Sequence, residues 1–281
     1  TPVVARRPFP RHHAEEVNAL LSKVDIVLFH ETPFDWSFLD VCRQRGIKTA
    51  LVTMYEWWPE SPPCWPDKLL CPSLLDLDYF RGKCNAEFIP IPVDPSTWIQ
   101  RSRALRFLHN AGHIGSRNHK GTQELIQAIP LIRSPFELTI RSQTGQLSNL
   151  LREYQPDPRV KIEIGEVPYE NLFEGYDVYV APEHYNGCSL PLQEARAAGL
   201  LVLSTDRYPA NTWLPREGLI SPFESRKVRV QPGYLEIDES LVEPAAIAGM
   251  VDSWYGSDIG EYSQSGREWA EANSWEALKP R

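Results

Sequence analysis

The chain has 281 residues, 42% of them apolar and 23% charged, with a formal net charge of -8. That length predicts about two domains with real cores, and the ordinary composition excludes general disorder. The acidic balance, with a pI near 5.5, disfavours a nucleic-acid partner held through its phosphates, and the apolar runs are far short of the ~20 residues a membrane span needs.

In chain order, residues 14–23 carry a helix signal. Residues 25–30 (DIVLFH) form a short apolar run, the pattern of a buried parallel strand. Residues 36–45 have helical spacing, with Phe38, Leu39 and Cys42 on one face and Gly46 as a stop. Residues 48–54 (KTALVTM) are a second strand. Residues 57–66 are dense in Pro and Trp and read as loop. Residues 68–71 and 86–91 are further strands, and 92–102 reads as a linker. A second block follows, with a strand at 105–111 and a polar loop at 112–121. A helix at 122–132 comes next, with Thr122 as its expected cap. Strands follow at 136–141, 160–164 and 177–181. A helix at 191–198 is stopped by Gly199, and a strand follows at 200–204. Alternating strand and helix signals imply parallel sheets covered by helices. Two such blocks predict an α/β protein with two doubly wound domains facing a cleft. The five cysteines are odd in number and contain no C-x-x-C pair, so reduced thiols in a cytoplasmic protein are expected, without zinc or disulfides.

Residues 186–199 (NGCSLPLQEARAAG) are the most informative stretch. A strand, a small-residue loop and a helix opening near Leu190 make a helix N-terminus suited to a phosphate. Glu194, one turn in, can aim a carboxylate at sugar hydroxyls. This stretch resembles the E-x7-E signature of GT-B-fold retaining glycosyltransferases of the family 4 type, the glycosyl transferases group 1. Glu194 matches the second Glu, which the resemblance assigns to the ribose of a nucleotide. Leu190, Pro191, Ala195, Ala197 and Gly199 match as well. Asn186 stands where the first Glu is usual, and Cys188 and Ser189 replace Phe-Gly. An amide keeps the hydrogen bonding but not the charge.

The resemblance extends outward. The loop 112–121 (GHIGSRNHKG) is similar to the family's G-R-x…K-G loop, whose cations bind the donor diphosphate. Lys120 matches the Lys, His113 stands at the usual Arg position, and Arg117 can reach the same phosphates. Two cations suit a leaving group that develops negative charge. Residues 25–33 (DIVLFHETP) are similar to the D-V-x-H-x-H-E-P segment, and His30 aligns with the active-site histidine at a strand end, where ligands of doubly wound sheets bind. Residues 86–98 resemble the family's hinge, and 161–182 its next strands, with the base expected against the loop 165–169.

The resemblance implies transfer of a sugar from a nucleotide-diphosphate sugar, with retained configuration and without metal or cofactor. It implies catalytic positions at His30, Asn186 and Glu194. Donor contacts are expected from Gly112, His113, Arg117, Lys120, Val167, Gly187, Cys188, Ser189 and Leu190. The family's opening Gly-rich strand and loop have no counterpart before Asp25, so the first domain (1–99) is expected to be small or truncated. Residues 100–257 form the expected donor domain, and 258–281 a terminal helix packing back toward the first. Glu56 and Trp57 are speculative acceptor contacts. The acceptor stays open among a glycan, a lipid-linked sugar, a natural product, a protein and a modified base. An inactive nucleotide-sugar-binding scaffold and an epimerase or phosphorylase on the same fold are the alternatives. Glu183 and His184 read as loop solvation, with Glu183 as a stand-in for the missing carboxylate. His12 and His13, beside Arg6, Arg7 and Arg11, read as a solvated segment whose functional alternative is peripheral contact with an anionic acceptor or membrane surface.

Overall fold

A computed structural model describes residues 14–32, 35–112, 118–144 and 156–279. The basic segment with His12 and His13, and the loop residues His113 and Arg117, lie outside the described residues. By contact the chain forms two units, Thr1–Pro90 with Arg229–Glu236, and Ile91–Val228 with Ile237–Arg281. The linker read at 92–102 and the terminal segment 258–281 therefore both fall in the second unit.

In the first unit, strands β1 (Ile26–His30), β2 (Lys48–Val52), β3 (Lys68–Cys71) and β4 (Ala86–Phe88) form one parallel sheet in that order. Val27 lies beside Thr49, and Phe29 beside Leu51 and then Leu69, so these residues share one face. Helices α1 (Ala14–Leu21), α2 (Ser37–Gln44) and α3 (Leu74–Phe80) supply Leu21, Cys42 and Phe80 to the clusters on that face. Stepping always in one direction, right-handed crossovers put every helix on the same side. The opposite face leaves Ile26 and Leu28 exposed. This is one half of a doubly wound sheet, in keeping with the small first domain that the missing Gly-rich opening predicts.

The Trp- and Pro-rich stretch sends aromatic side chains into the core. Trp58 is fully buried, edge-on to Trp36 at 5.4 Å and to Phe80 at 4.7 Å, with Trp65 at 5.5 Å. Residues Tyr55–Trp57 form a 3₁₀ turn, and the loop read at 57–66 continues from it. A hairpin absent from the sequence reading, β11 (Glu224–Arg229) and β12 (Glu236–Leu241), completes this unit with its tip. Leu235 N–H donates to the Trp58 carbonyl at 2.9 Å, and the Glu60 N–H donates to the Gly233 carbonyl at 2.9 Å. The Tyr55 hydroxyl donates to the Glu236 carbonyl, and Arg229 pairs with Glu60.

In the second unit, β5 (Arg106–Gly112), β6 (Glu137–Ser142), β7 (Val160–Ile164), β8 (Val178–Ala181), β9 (Leu201–Thr205) and β10 (Leu219–Ile220) form a parallel sheet of order β10-β9-β8-β5-β6-β7. Its strands read as near-continuous apolar runs because both faces are covered. One face packs Phe107, Ile140 and Val180 against Leu125 of α4 (Thr122–Ala128) and Ile247 of α6 (Pro244–Trp254). The other packs Leu108, Tyr179 and Val202 against Leu192 and Ala195 of α5 (Leu190–Ala197). Helices α7 (Gly260–Ala272) and α8 (Trp275–Leu278) end the chain, and Trp98 anchors the linker to α7 through its ring N–H to the Ser263 carbonyl. Strand order reverses between β5 and β8. A crevice at the carboxyl ends of strands at such a switch point is where open α/β sheets receive ligands.

Candidate active site

The loops leaving β5 and β8 meet at this switch point. Gly121 caps α4 in the left-handed region, at φ +69°. The carbonyl of Pro182 sits so close that a Cβ at Gly121 would lie 2.0 Å from it. Thr122 is thus not the cap expected from sequence. It is the first helical residue, and its hydroxyl lies 2.8 Å from Nε2 of the fully buried His109. His109 Nδ1–H donates to the Val180 carbonyl at 2.7 Å, and burial pushes this imidazole down to about 4, so it is neutral. Thr122→Val strands Nε2 without a partner and is expected to cost about 1–3 kcal/mol in chemical denaturation.

Lys120 is brought beside Pro182 by the same approach, and its Nζ lies 2.9 Å from Glu183 Oε1. Glu183 is only 1% exposed. Its second oxygen accepts from Arg207 Nη2 at 2.7 Å and from the Ser189 hydroxyl at 2.9 Å. Burial alone would raise its pKa. The charges of Lys120 and Arg207 and the hydrogen bonds outweigh that and hold it at about 2. Reading Glu183 and His184 as loop solvation is therefore overturned for both residues. His184 is 5% exposed, with Nε2 3.2 Å from Glu124 and Nδ1 3.6 Å from Glu239. Burial pushes Glu124 up, but the neighbouring His184 and the Asn118 amide leave it below the usual carboxylate range.

Arg207, which follows β9, was not found from sequence. Its only signal there is a cation two residues past a buried strand. Its Nη1 donates to the Asn186 carbonyl at 2.8 Å, and its Nη2 also reaches the Ser189 hydroxyl at 2.7 Å. These bonds fold residues 186–189 into a tight turn. Asn186 Oδ1 accepts the Ser189 N–H at 2.8 Å, and Ser189 holds φ +49°, an uncommon conformation for a residue with a side chain. Gly187 is buried, Cys188 half-buried, and Leu190 opens α5 with Pro191 behind it. The Leu192 and Gln193 N–H groups donate to the Ser189 carbonyl and Pro191 carries none, so the Leu190 N–H is the backbone donor that the opening of α5 offers above a cluster whose two cations outnumber its one carboxylate.

Glu194, one turn into α5, accepts from the Tyr169 hydroxyl, while burial raises its carboxyl above the usual range. It lines a cavity of about 290 Å³ with Ser96, Thr97, Ile99, Arg101, Tyr169, Glu170, Asn171, Phe173 and Glu174. Val167 lies in the irregular segment between β7 and Tyr169, and Gly112 ends β5. The structure thus links Lys120 through Glu183 and Arg207 to Asn186 and Ser189, with Leu190 and Glu194 on the helix that follows and Gly112 at the end of β5, all within the second unit.

The remaining candidates lie in the first unit. His30 is exposed at the end of β1, and Glu31 after it is held at φ +67° by its N–H to the Val52 carbonyl. Glu56 and Trp57 lie in the 3₁₀ turn, and Trp57 packs edge-on to Tyr234 at 5.9 Å. Among the described residues, no cluster of three or more His, Cys, Asp or Glu could hold a metal ion, and no helix is long and apolar enough to cross a membrane. None of the five cysteines forms a disulfide.

Solved structures fix the fold. A glycosyltransferase from Rickettsia africae aligns with 99% of this chain and 81% of its own, at TM-score 0.67 and 14% identity. Sucrose-phosphate synthase from Thermosynechococcus elongatus aligns with 96% and 77%, at TM-score 0.66 and 17% identity. Anabaena HepE, solved with UDP and glucose, aligns with 95% and 78%, at TM-score 0.66 and 11% identity. The fold is the GT-B fold of glycosyltransferases. Within it, residues 107–225 match the family described as Glycosyl transferases group 1, a segment that runs from β5 into the start of the hairpin and contains Lys120, Asn186 and Glu194. No curated protein sequence matches the chain.

Proposed function

We propose that this chain transfers a sugar from a nucleotide-diphosphate sugar to an acceptor hydroxyl, with retention of configuration. The observation that carries the reading is the anion-receiving turn 186–190, set over Lys120 and Arg207 at the switch point, with Glu194 one turn away. Lys120, the Leu190 N–H and the positive end of the α5 dipole stabilise the diphosphate as it leaves. Glu194 accepts from the ribose hydroxyls. In the step itself, the bond from anomeric carbon to diphosphate oxygen breaks, and its electron pair stays on the diphosphate. The acceptor oxygen bonds that carbon from the same face, and its proton passes to the departing phosphate. His30 orients the sugar, as the family resemblance implies. Arg117 and His113 are the further cations proposed for the diphosphate.

Asn186 favours a second reading. Its amide oxygen is committed to the Ser189 N–H, so the acidic contact to the sugar that the resemblance implies is replaced by a turn-closing one. A nucleotide-sugar-binding scaffold without turnover fits that substitution. Incubating the protein with a panel of nucleotide sugars, and measuring binding and donor consumption on the same samples, separates the two. Turnover that falls about 100-fold or more in Lys120→Ala, and also falls in Glu194→Ala, supports transfer. Binding without consumption supports the scaffold. Unchanged turnover in both variants overturns the assignment.

A further inference from the structure

We infer that Asn186 is a self-modification site: it cyclises onto the nitrogen of Gly187 with loss of ammonia, then hydrolyses to a carboxylate. Residues 186 and 187 are the single Asn-Gly pair in the sequence. Gly187 has no side chain to crowd the approach of its nitrogen to Asn186 Cγ, and the five-membered ring closes between adjacent residues. Two contacts of the turn act on the two groups that must change. Arg207 Nη1 lies 2.8 Å from the Asn186 carbonyl oxygen, which takes up charge when the Gly187 N–H loses its proton. The Ser189 nitrogen lies 2.8 Å from Asn186 Oδ1, the oxygen that becomes negative when Cγ is attacked. Gly187 N–H donates to nothing among the described residues, so the attacking nitrogen is not tied up.

The step balances with hydroxide and water alone. Hydroxide removes the Gly187 amide proton, and the nitrogen's electron pair bonds Asn186 Cγ while the π pair of the side-chain carbonyl moves onto Oδ1. When that pair returns, the bond from Cγ to Nδ2 breaks, and Nδ2 leaves as ammonia with a proton from water. Water then adds to one carbonyl of the ring and breaks its bond to the Gly187 nitrogen, which recovers its proton. In sum, one water is consumed, one ammonium is released and one carboxylate is formed, as aspartate or isoaspartate. The consequence rests on the donor reading above. Lys120 and Arg207 share the one carboxylate of Glu183. A second carboxylate at 186 evens the count and lowers the attraction for a diphosphate, so the donor site weakens as the molecule ages.

The test incubates the full chain at mildly alkaline pH, folded and in guanidinium, and follows the peptide carrying Asn186 by mass spectrometry for exchange of amide for carboxylate. Conversion is expected to be at least about tenfold faster in the folded chain than in the unfolded one. Asn273, whose carbonyl accepts from the Val93 N–H instead of a cation, is expected to stay intact over the same interval. Arg207→Gln is expected to slow conversion toward the unfolded rate. Conversion no faster in the folded chain than in the unfolded one overturns the proposal, whether or not that variant folds. Binding of UDP and inorganic pyrophosphate is then measured on Asn186→Asp, which is expected to bind both about tenfold more weakly than the wild type. Equal binding overturns the weakening and leaves the modification standing. Conversion at Asn186 in a wild-type chain that binds neither probe overturns the donor reading alone.

Discussion

Glu183→Ala is expected to lower the unfolding free energy of the second unit by about 3–5 kcal/mol, because it leaves two cations in place without their shared counter-charge. Arg207 is 5% exposed and Lys120 is mostly covered, so water cannot replace the carboxylate. The Ser189 hydroxyl also loses its acceptor, and the turn 186–189 loses the anchor that orients Arg207. Guanidinium denaturation, followed by a signal from the second unit, measures the loss. The pH dependence gives an independent check. Glu183 in the folded protein sits at about 2, below the ordinary 4.5. Its contribution is fully present above pH 4.5 and is lost as pH falls through that interval toward 2. The gap corresponds to roughly 3 kcal/mol. The wild-type chain should therefore lose that much more stability than Glu183→Ala on acidification from pH 4.5 to 2. Parallel stability curves for the two proteins would contradict the ion cluster.

Gly121→Ala should be nearly as damaging, by a different route. At φ +69° any side chain carries about 1–2 kcal/mol of strain. Here the new Cβ also meets a backbone carbonyl at 2.0 Å, and a backbone cannot rotate away as a flexible side chain can. Pushing Pro182 aside adds about 1–3 kcal/mol and draws Glu183 off Lys120. Gly112→Ala is the built-in comparison. It shares a positive φ of +64°, but its Cβ would meet nothing within 4 Å, so only the strain applies. Thermal unfolding of the two variants should rank Gly121→Ala well below Gly112→Ala. Nucleoside diphosphate affinity should fall in Gly121→Ala, where Lys120 loses its seat. Equal effects would mean that the approach of the two loops is not what seats Lys120.

The strands and the turn before α5 were readable because their signals are local. Apolar runs such as 178–181 announce a buried strand, and the small residues after them announce a turn. Glu194 stood out by its place one turn into a helix and by the resemblance of its stretch to the E-x7-E signature, and Lys120 by the resemblance of its loop to the family's G-R-x…K-G loop. What Lys120 touches was not readable, since its partner lies 63 positions away and Arg207 a further 24. Glu183 read as solvated for the same reason, because a lone carboxylate in a loop is usually wet. The hairpin 224–241 escaped because β11 is polar and exposed at every position but the half-buried Val228, which gives no alternation to detect. Helix α3 was missed as well, although Ser73 caps it through the Asp76 N–H, because its run is only seven residues long.

The hairpin tip has a consequence for how the chain is made. The first unit needs Leu235 for its aromatic core and the Gly233 carbonyl for the Glu60 N–H, yet these belong to residues 229–236. A ribosome adds on the order of 5–20 residues per second. The sheet that begins at Ile26 therefore waits on the order of ten seconds, unfinished, while most of the second unit is synthesised. During that interval the carbonyl of Trp58 and the ring of Trp57 lack their partners in the tip. The N-terminal part of this chain thus emerges before the second unit yet stays unfinished until residue 236 is made, when only Ile237–Arg281 of the second unit remain. That order makes it the natural point of engagement for a chaperone.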